Sequence, residues 1–229
     1  MKRVAILQSN YIPWKGYFDM IASVDEFIIY DDVQFTKNDW RNRNKIKTPQ
    51  GVNWITVPVG KNISRKIREV EIPSSAWQVK HWKMLGSNYR KSPFFDDVES
   101  VLAPLYLDNT YTNLSDMNRT FIEAICKYLG ISTAIKFSWD YNLIEGRNER
   151  LVDLCAQAGA SQYVSGPAAK GYLDERLFTD KGIDVSWFDY GEYREYKQLW
   201  GDFAHQVSVL DLLFNCGPSS GQYMRNVVS

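Results

Sequence analysis

Two carboxylates stand side by side at Asp31 and Asp32, directly after the apolar run Phe27, Ile28, Ile29 and Tyr30. Polar residues just past the carboxyl ends of strands line the crevice where an open α/β sheet binds its ligands. In such a place one carboxylate could act as a base while the other orients a hydroxyl, an amine or a phosphate-bound Mg²⁺. Adjacent side chains of an extended chain point to opposite sides, so one of the pair should face the pocket. The plainer role of such acids is to end a strand and cap the next turn. An earlier apolar run, Val4 to Leu7, breaks in the same way into Gln8, Asn10, Tyr11 and Trp14. Gln8, Asn10, Asp31, Asp32 and Gln34 could therefore share one pocket.

Residues 38–47 carry Arg41, Arg43, Lys45 and Lys47 among polar neighbours that include Asn42 and Asn44. A solvated surface is the usual meaning of such a run. The specific alternative is a cationic clamp on a diphosphate, with Arg43 and Lys47 on the phosphoryl oxygens. No glycine-rich phosphate loop of the G-x-x-x-x-G-K-[ST] type occurs. Ser165-Gly166 ends another β-branched run; it is either a simple turn or a hydroxyl and free backbone N–H groups set against an oxyanion or phosphate. The chain holds 2 histidines, so any imidazole-dependent step has two candidates. His81, between Lys80 and Trp82, is the stronger; His205 follows Asp202-Phe203-Ala204 near the end of a loop. Their separation and the absence of clustered Cys or carboxylate partners argue against a zinc site. No nucleophile elbow or triad order points to a serine hydrolase.

These groups need strands and helices to hold them. Val4 to Leu7 reads as a strand, and Tyr17, Phe18, Ile21 and Ala22 take up helical spacing before a second strand at 27–30. Trp54 to Val59 is β-branched and bounded by Gly51 and Gly60, which predicts a third strand, while 38–47 reads as a loop or short helix. Residues 76–130 are mainly helical, with Ser74 or Ser75 and then Ser115 or Asp116 as caps and Gly130 as a stop. Strands follow at 135–139, 162–165 and 183–188, alternating with helices at 148–158 and 174–178. Alternation of this kind predicts an α/β fold with a mostly parallel, doubly wound sheet. Residues 1–229 are expected to form a single α/β domain, with 76–130 as a helical insertion or subdomain closing over the site.

Lys+Arg and Asp+Glu are equal at 27 each, so no basic field argues for nucleic acid. The 3 cysteines are widely spaced and odd in number, which favours a reducing, cytoplasmic setting over a disulfide framework. No signal peptide opens the chain, and no run approaches the ~18 apolar residues of a membrane span. The 8 Trp, 14 Tyr and 11 Phe, many in polar company, suit a core with an amphipathic surface or a pocket for a sugar or nucleobase.

Several segments carry a family resemblance. Gln8-Ser9-Asn10-Tyr11-Ile12-Pro13-Trp14-Lys15-Gly16-Tyr17-Phe18, Asp31-Asp32-Val33-Gln34-Phe35 and the run from Asn42-Arg43-Asn44 to Thr48-Pro49-Gln50-Gly51 resemble the WbqC-like family. So do Lys80-His81-Trp82, Pro93-Phe94-Phe95, Tyr163-Val164-Ser165-Gly166 and Leu210 to Gly217, so that the likeness runs through nearly the whole chain in order. Gln8 stands where many members have His, and Ser9 where Pro is usual, which puts in doubt any role needing imidazole at position 8. The resemblance implies an enzyme of bacterial surface-polysaccharide (O-antigen) biosynthesis that modifies a nucleotide-linked amino sugar by acyl or aminoacyl transfer to its amine, glycine being one such group. It also adds weight to His81 as the proton acceptor. The opening strand, turn and helix resembles more loosely the HIGH-motif nucleotidyltransferases, a Rossmann-like fold, with Gln8 and Asn10 roughly where those histidines stand. ATP and Mg²⁺ are the cofactors that likeness leaves open. Nucleotidyl transfer, or non-catalytic binding of a sugar nucleotide in the same pathway, are the alternative functions.

Overall fold

The computed structural model describes residues 1–227. Five strands form a parallel sheet: β1 (Arg3–Leu7), β2 (Glu26–Ile29), β5 (Ala134–Phe137), β6 (Gln162–Ser165) and β7 (Asp184–Trp187). Their spatial order is β5-β2-β1-β6-β7. The chain thus builds outward from β1 on one side and then returns to build outward on the other, so the order reverses between β1 and β6. This is the Rossmann-like, doubly wound α/β arrangement expected from the alternation of elements; open sheets of this kind bind ligands in the crevice at such a reversal, beyond the carboxyl ends of the strands.

The central strands are apolar because both of their faces are covered. Ala5, Phe27 and Ile29 point into a large core shared with α1 (Lys15–Ala22), α4 (Leu114–Tyr128) and α7 (Val209–Cys216). Val4, Ile6, Ile28 and Tyr163 point into a smaller core under α5 (Asn148–Gln157) and α6 (Glu175–Thr179). Between β2 and β5 the chain leaves the sheet to make an antiparallel hairpin, β3 (Arg43–Thr48) and β4 (Gly51–Thr56), and then α2 (Ala76–Tyr89), α3 (Phe95–Leu107) and α4. The mainly helical middle stretch is therefore present. α4 is capped by Asn113, whose side chain accepts from the Ser115 and Asp116 amides, rather than by either of those residues.

The hairpin departs from expectation. The latter half of residues 38–47, read as loop or short helix, lies in the strand β3 (Arg43–Thr48), and β4 begins at Gly51 instead of Trp54. The strand signal in Arg43-Asn44-Lys45-Ile46-Lys47-Thr48 is weak because its inward positions, Asn44 and Ile46, are separated by cations. Register matters more than composition here: Lys45 lies opposite Trp54 and Arg43 opposite Thr56, so the cations and the indole share the outer face. Among the described residues no helix is long and apolar enough to cross a membrane.

Candidate functional site

Register in the sheet brings β1 and β2 to an end together, Leu7 beside Ile29, so that Gln8 to Asn10 and Asp31-Asp32 emerge at one edge. The turn after β1 is strained. Ile12 is fully buried with φ 39, in the left-handed region that a β-branched residue rarely enters. Asn44 holds it there, its amide donating to the Tyr11 carbonyl at 3.0 Å and to the Ile12 carbonyl at 2.9 Å. Trp14 folds back over Gly16 so closely that a Cβ at that glycine would lie 2.3 Å from the indole. The Gly in Trp14-Lys15-Gly16 is thus what lets the indole lie against α1.

A cleft of about 730 Å³ opens beside this turn. One wall is Asn10, Pro13, Trp14, Trp40 and Asn44, and the other is the segment carrying Gly191, Glu192, Tyr193, Glu195, His205 and Gln206. The volume is that of a small-molecule site. The far wall has no regular secondary structure between β7 and α7 and is fastened by side chains. Tyr193 donates to Asp19 at 2.9 Å, Tyr196 to Asp211 at 2.8 Å, and the Lys15 ammonium to the Arg194 carbonyl at 3.1 Å. Lys15 also lies over the rings of Tyr193, Tyr196 and Phe203. Burial pushes its ammonium down to about 8, against the pull of nearby acids. Tyr190 packs on Trp14 with centroids 5.3 Å apart and also neighbours Gly166, so β6 approaches the cleft through that ring.

The expected site residues divide in two. Asn10, Trp14 and Asn44 line the cleft. Gln8 and Asn10 are joined by Arg41, whose guanidinium donates to Gln8 Oε1 at 3.2 Å and to Asn10 Oδ1. Several of the others are built into the scaffold. Asp31 is fully buried and accepts from the Ser9 amide at 2.8 Å, Ser9 Oγ at 2.6 Å and Ser115 Oγ at 2.6 Å, tying both strand ends to α4. Burial raises its pKa against those hydrogen bonds. Asp32 accepts from Ser138 Oγ at 2.9 Å and pairs with Arg68 at 3.0 Å. With their oxygens so occupied, the two carboxylates do not fit a phosphate-bound Mg²⁺, and among the described residues no group of three or more His, Cys, Asp or Glu could hold a metal ion.

Tyr11 is buried against Tyr106 and His81. His81 does not line the cleft: one ring nitrogen lies 3.0 Å from Tyr11 Oη and the other 3.1 Å from the Thr56 carbonyl. A carbonyl only accepts, so Nε2 carries the proton and Nδ1 accepts from Tyr11. Burial lowers the pKa of His81 to about 4. Gln34 is exposed beside Ile63, and Asn42 donates to the Val57 carbonyl at 2.8 Å. Lys47 is buried with its ammonium on Gln198 Oε1 and the Asp202 carbonyl. Arg43 keeps an outward position, stacked 3.9 Å over Trp54. Ser165 is buried with Gly166 next to it.

Sequence reading does not single out Trp40 or the far wall apart from His205, and names Arg41 only within the cationic run. His205 lies there exposed, its Nε2 3.9 Å from Glu195 and its ring edge-on to Phe203. Sequence reading prefers His81 for its Lys80-His81-Trp82 setting; the structure buries that histidine and leaves His205 exposed at the cleft.

Comparison with known proteins agrees with these segments. The model of the WbqC-like protein family matches residues 8–223. The uncharacterized protein Rv1507c of Mycobacterium tuberculosis is 57% identical over 227 residues, which covers 98% of each chain. No solved structure matches.

Proposed function

The chain belongs to the WbqC-like protein family, and from that membership we propose that it acts in bacterial surface-polysaccharide (O-antigen) biosynthesis as an enzyme that acylates the amine of a nucleotide-linked amino sugar, the acyl group being an aminoacyl group such as glycyl or a simple one. The observation that carries this reading is the cleft beside the turn after β1, where aromatic rings and an exposed imidazole face each other. Trp14, Trp40 and Tyr193 offer apolar faces to a sugar ring, and Glu192, Gln206 and Asn10 offer acceptors and donors to its hydroxyls.

The chemistry needs an amine free of its proton. His205, exposed at the cleft, accepts a proton from the sugar ammonium, and Glu195 at 3.9 Å stabilises the imidazolium that results. The amine nitrogen then bonds to the carbonyl carbon of an activated acyl donor. The bond to the donor's leaving group breaks with its electron pair; the proton held on His205 passes to that group, and the second proton that the nitrogen sheds on becoming an amide goes to water. Arg41 occupies Asn10 Oδ1, which turns the amide N–H groups toward a ligand oxygen such as the tetrahedral oxyanion.

Mass spectrometry of nucleotide-linked amino sugars incubated with protein and activated acyl or aminoacyl donors tests this. The expected product gains one acyl group, and His205→Ala lowers turnover by about 10²–10⁴-fold with substrate affinity kept. Full turnover in His205→Ala would remove it from the proton transfer. Pyrophosphate exchange with no amine acceptor present would point to nucleotidyl transfer instead.

A further inference from the structure

We propose that the outer face of the β3–β4 hairpin, together with Trp40, binds the nucleoside diphosphate part of the ligand whose reacting end lies in the cleft. This rests on the reading that the ligand is a nucleotide-linked sugar. Trp40 and Trp54 are both exposed, at 38% and 41%. They touch each other, with centroids 5.2 Å apart and planes 40° apart. Over them sit two cations: the Arg43 guanidinium is 3.9 Å from the Trp54 ring, and the Lys45 ammonium is 5.1 Å from Trp54 and 5.8 Å from Trp40.

Strand alternation places this set on one side. Lys45 is cross-strand from Trp54 and Arg43 is diagonal to it, while Asn44 and Ile46 between them turn inward. Among the described residues neither Arg43 nor Lys45 is ion-paired with a carboxylate. Asp39, the nearest acid in sequence, accepts from Thr36 Oγ1 at 2.5 Å and from the Trp40 amide at 2.7 Å. Arg43 also donates to the Asn38 carbonyl. Two cations without a carboxylate ion pair on two exposed indoles suit an occupant with a flat aromatic ring and adjacent negative charge. A nucleoside diphosphate has both: its base stacks on indole or on a guanidinium plane, and its phosphates take the charge-assisted bonds of Arg43 and Lys45.

Position supplies the remaining argument. Trp40 belongs to the cleft wall and to the indole pair at once, so the platform is continuous with the site. A ligand with its nucleotide on the hairpin therefore points its sugar toward Trp14 and His205. Lys47, third in the same row of cations, is turned away into Gln198 and the Asp202 carbonyl, which leaves Arg43 and Lys45 as the phosphate contacts.

The test is titration of UDP, dTDP, GDP, CDP and ADP into the protein, followed by tryptophan fluorescence and calorimetry. At least one should bind, with affinity falling as salt rises. Trp54→Ala and Arg43→Ala should each weaken it about 10- to 100-fold with unfolding midpoints near that of the wild type. Should Arg43→Ala fold poorly, Arg43→Lys and Lys45→Ala serve instead, the first keeping charge but losing the guanidinium plane. Wild-type affinity in the hairpin variants overturns the proposal even if acyl transfer is found. So does acyl transfer to the sugar nucleotide with no affinity for any of the five diphosphates. Hairpin-dependent diphosphate binding without acyl transfer leaves the platform standing and removes the reaction proposed above.

Discussion

At the scale of single residues, His81 and His205 show how the same side chain takes opposite roles. His81 sits between Tyr11 and Trp77, spends both nitrogens on internal bonds, and is held neutral by burial with a pKa lowered to about 4. Between pH 6.5 and 4 the unfolded chain therefore binds a proton at this position that the folded chain does not, and stability falls as pH drops through that window. The full shift is worth about 3 kcal/mol. The buried carboxylates Asp31 and Asp211, whose pKa values are raised, contribute with the opposite sign, their share being lost as pH rises. Urea unfolding of the wild type and of His81→Gln should isolate the histidine, since both proteins keep the acids. The variant is expected to be less stable at pH 7.5, where its lost hydrogen bonds dominate, and to show a shallower acid-side decline. Parallel pH profiles would mean that His81 titrates normally in the folded state.

At the scale of elements, the contact that shapes the cleft is the one between β3 and the turn after β1. A left-handed Ile12 stores about 1–3 kcal/mol of backbone strain and persists only where the surroundings over-determine it. Asn44 does so through two carbonyls, and the Lys45 amide closes on its Oδ1 at 2.8 Å. Asn44→Ala should therefore lose about 1–3 kcal/mol in chemical unfolding. It should also weaken ligand binding at saturating stability, because Pro13 and Trp14 follow directly from the freed turn. Unchanged stability would show that Arg41 and the buried Ile12 side chain hold the turn by themselves. Asp31 plays the corresponding part for β2: it gathers Ser9 and Ser115 and thereby joins the strand ends to α4.

At the scale of the whole molecule, the sheet supplies a crevice and the segment between β7 and α7 closes its side. That segment is attached at a few points, chiefly to α1 and α7, and Lys15 is central to them. Replacing Lys15 by Met keeps the packed stem but removes the bond to the Arg194 carbonyl and the charge over three rings. Limited proteolysis should then cut between 189 and 206 several-fold faster, a local opening distinct from global unfolding. Cleavage at the wild-type rate would assign the hold to Tyr193, Tyr196 and Gln198.

Periodicity and composition were enough to read the parallel sheet, the order of strands and helices, and the helical run in the middle of the chain, because each of those follows from which residues must leave water. The hairpin escaped that reading, since Arg43, Lys45 and Lys47 mask a strand whose inward side is only Asn44 and Ile46. Within the site, Asn10 and Trp14 were legible from their place just beyond β1, a consequence of topology that local sequence encodes. The opposite wall was not, because its residues reach the cleft through bonds spanning most of the chain, such as Lys15 to Arg194 and Asp19 to Tyr193, and nothing near Glu195 or His205 announces them. Which carboxylate is spent on the scaffold, which lysine is turned inward and which histidine meets solvent were decided by burial, and burial at those positions exists only once distant segments have packed together.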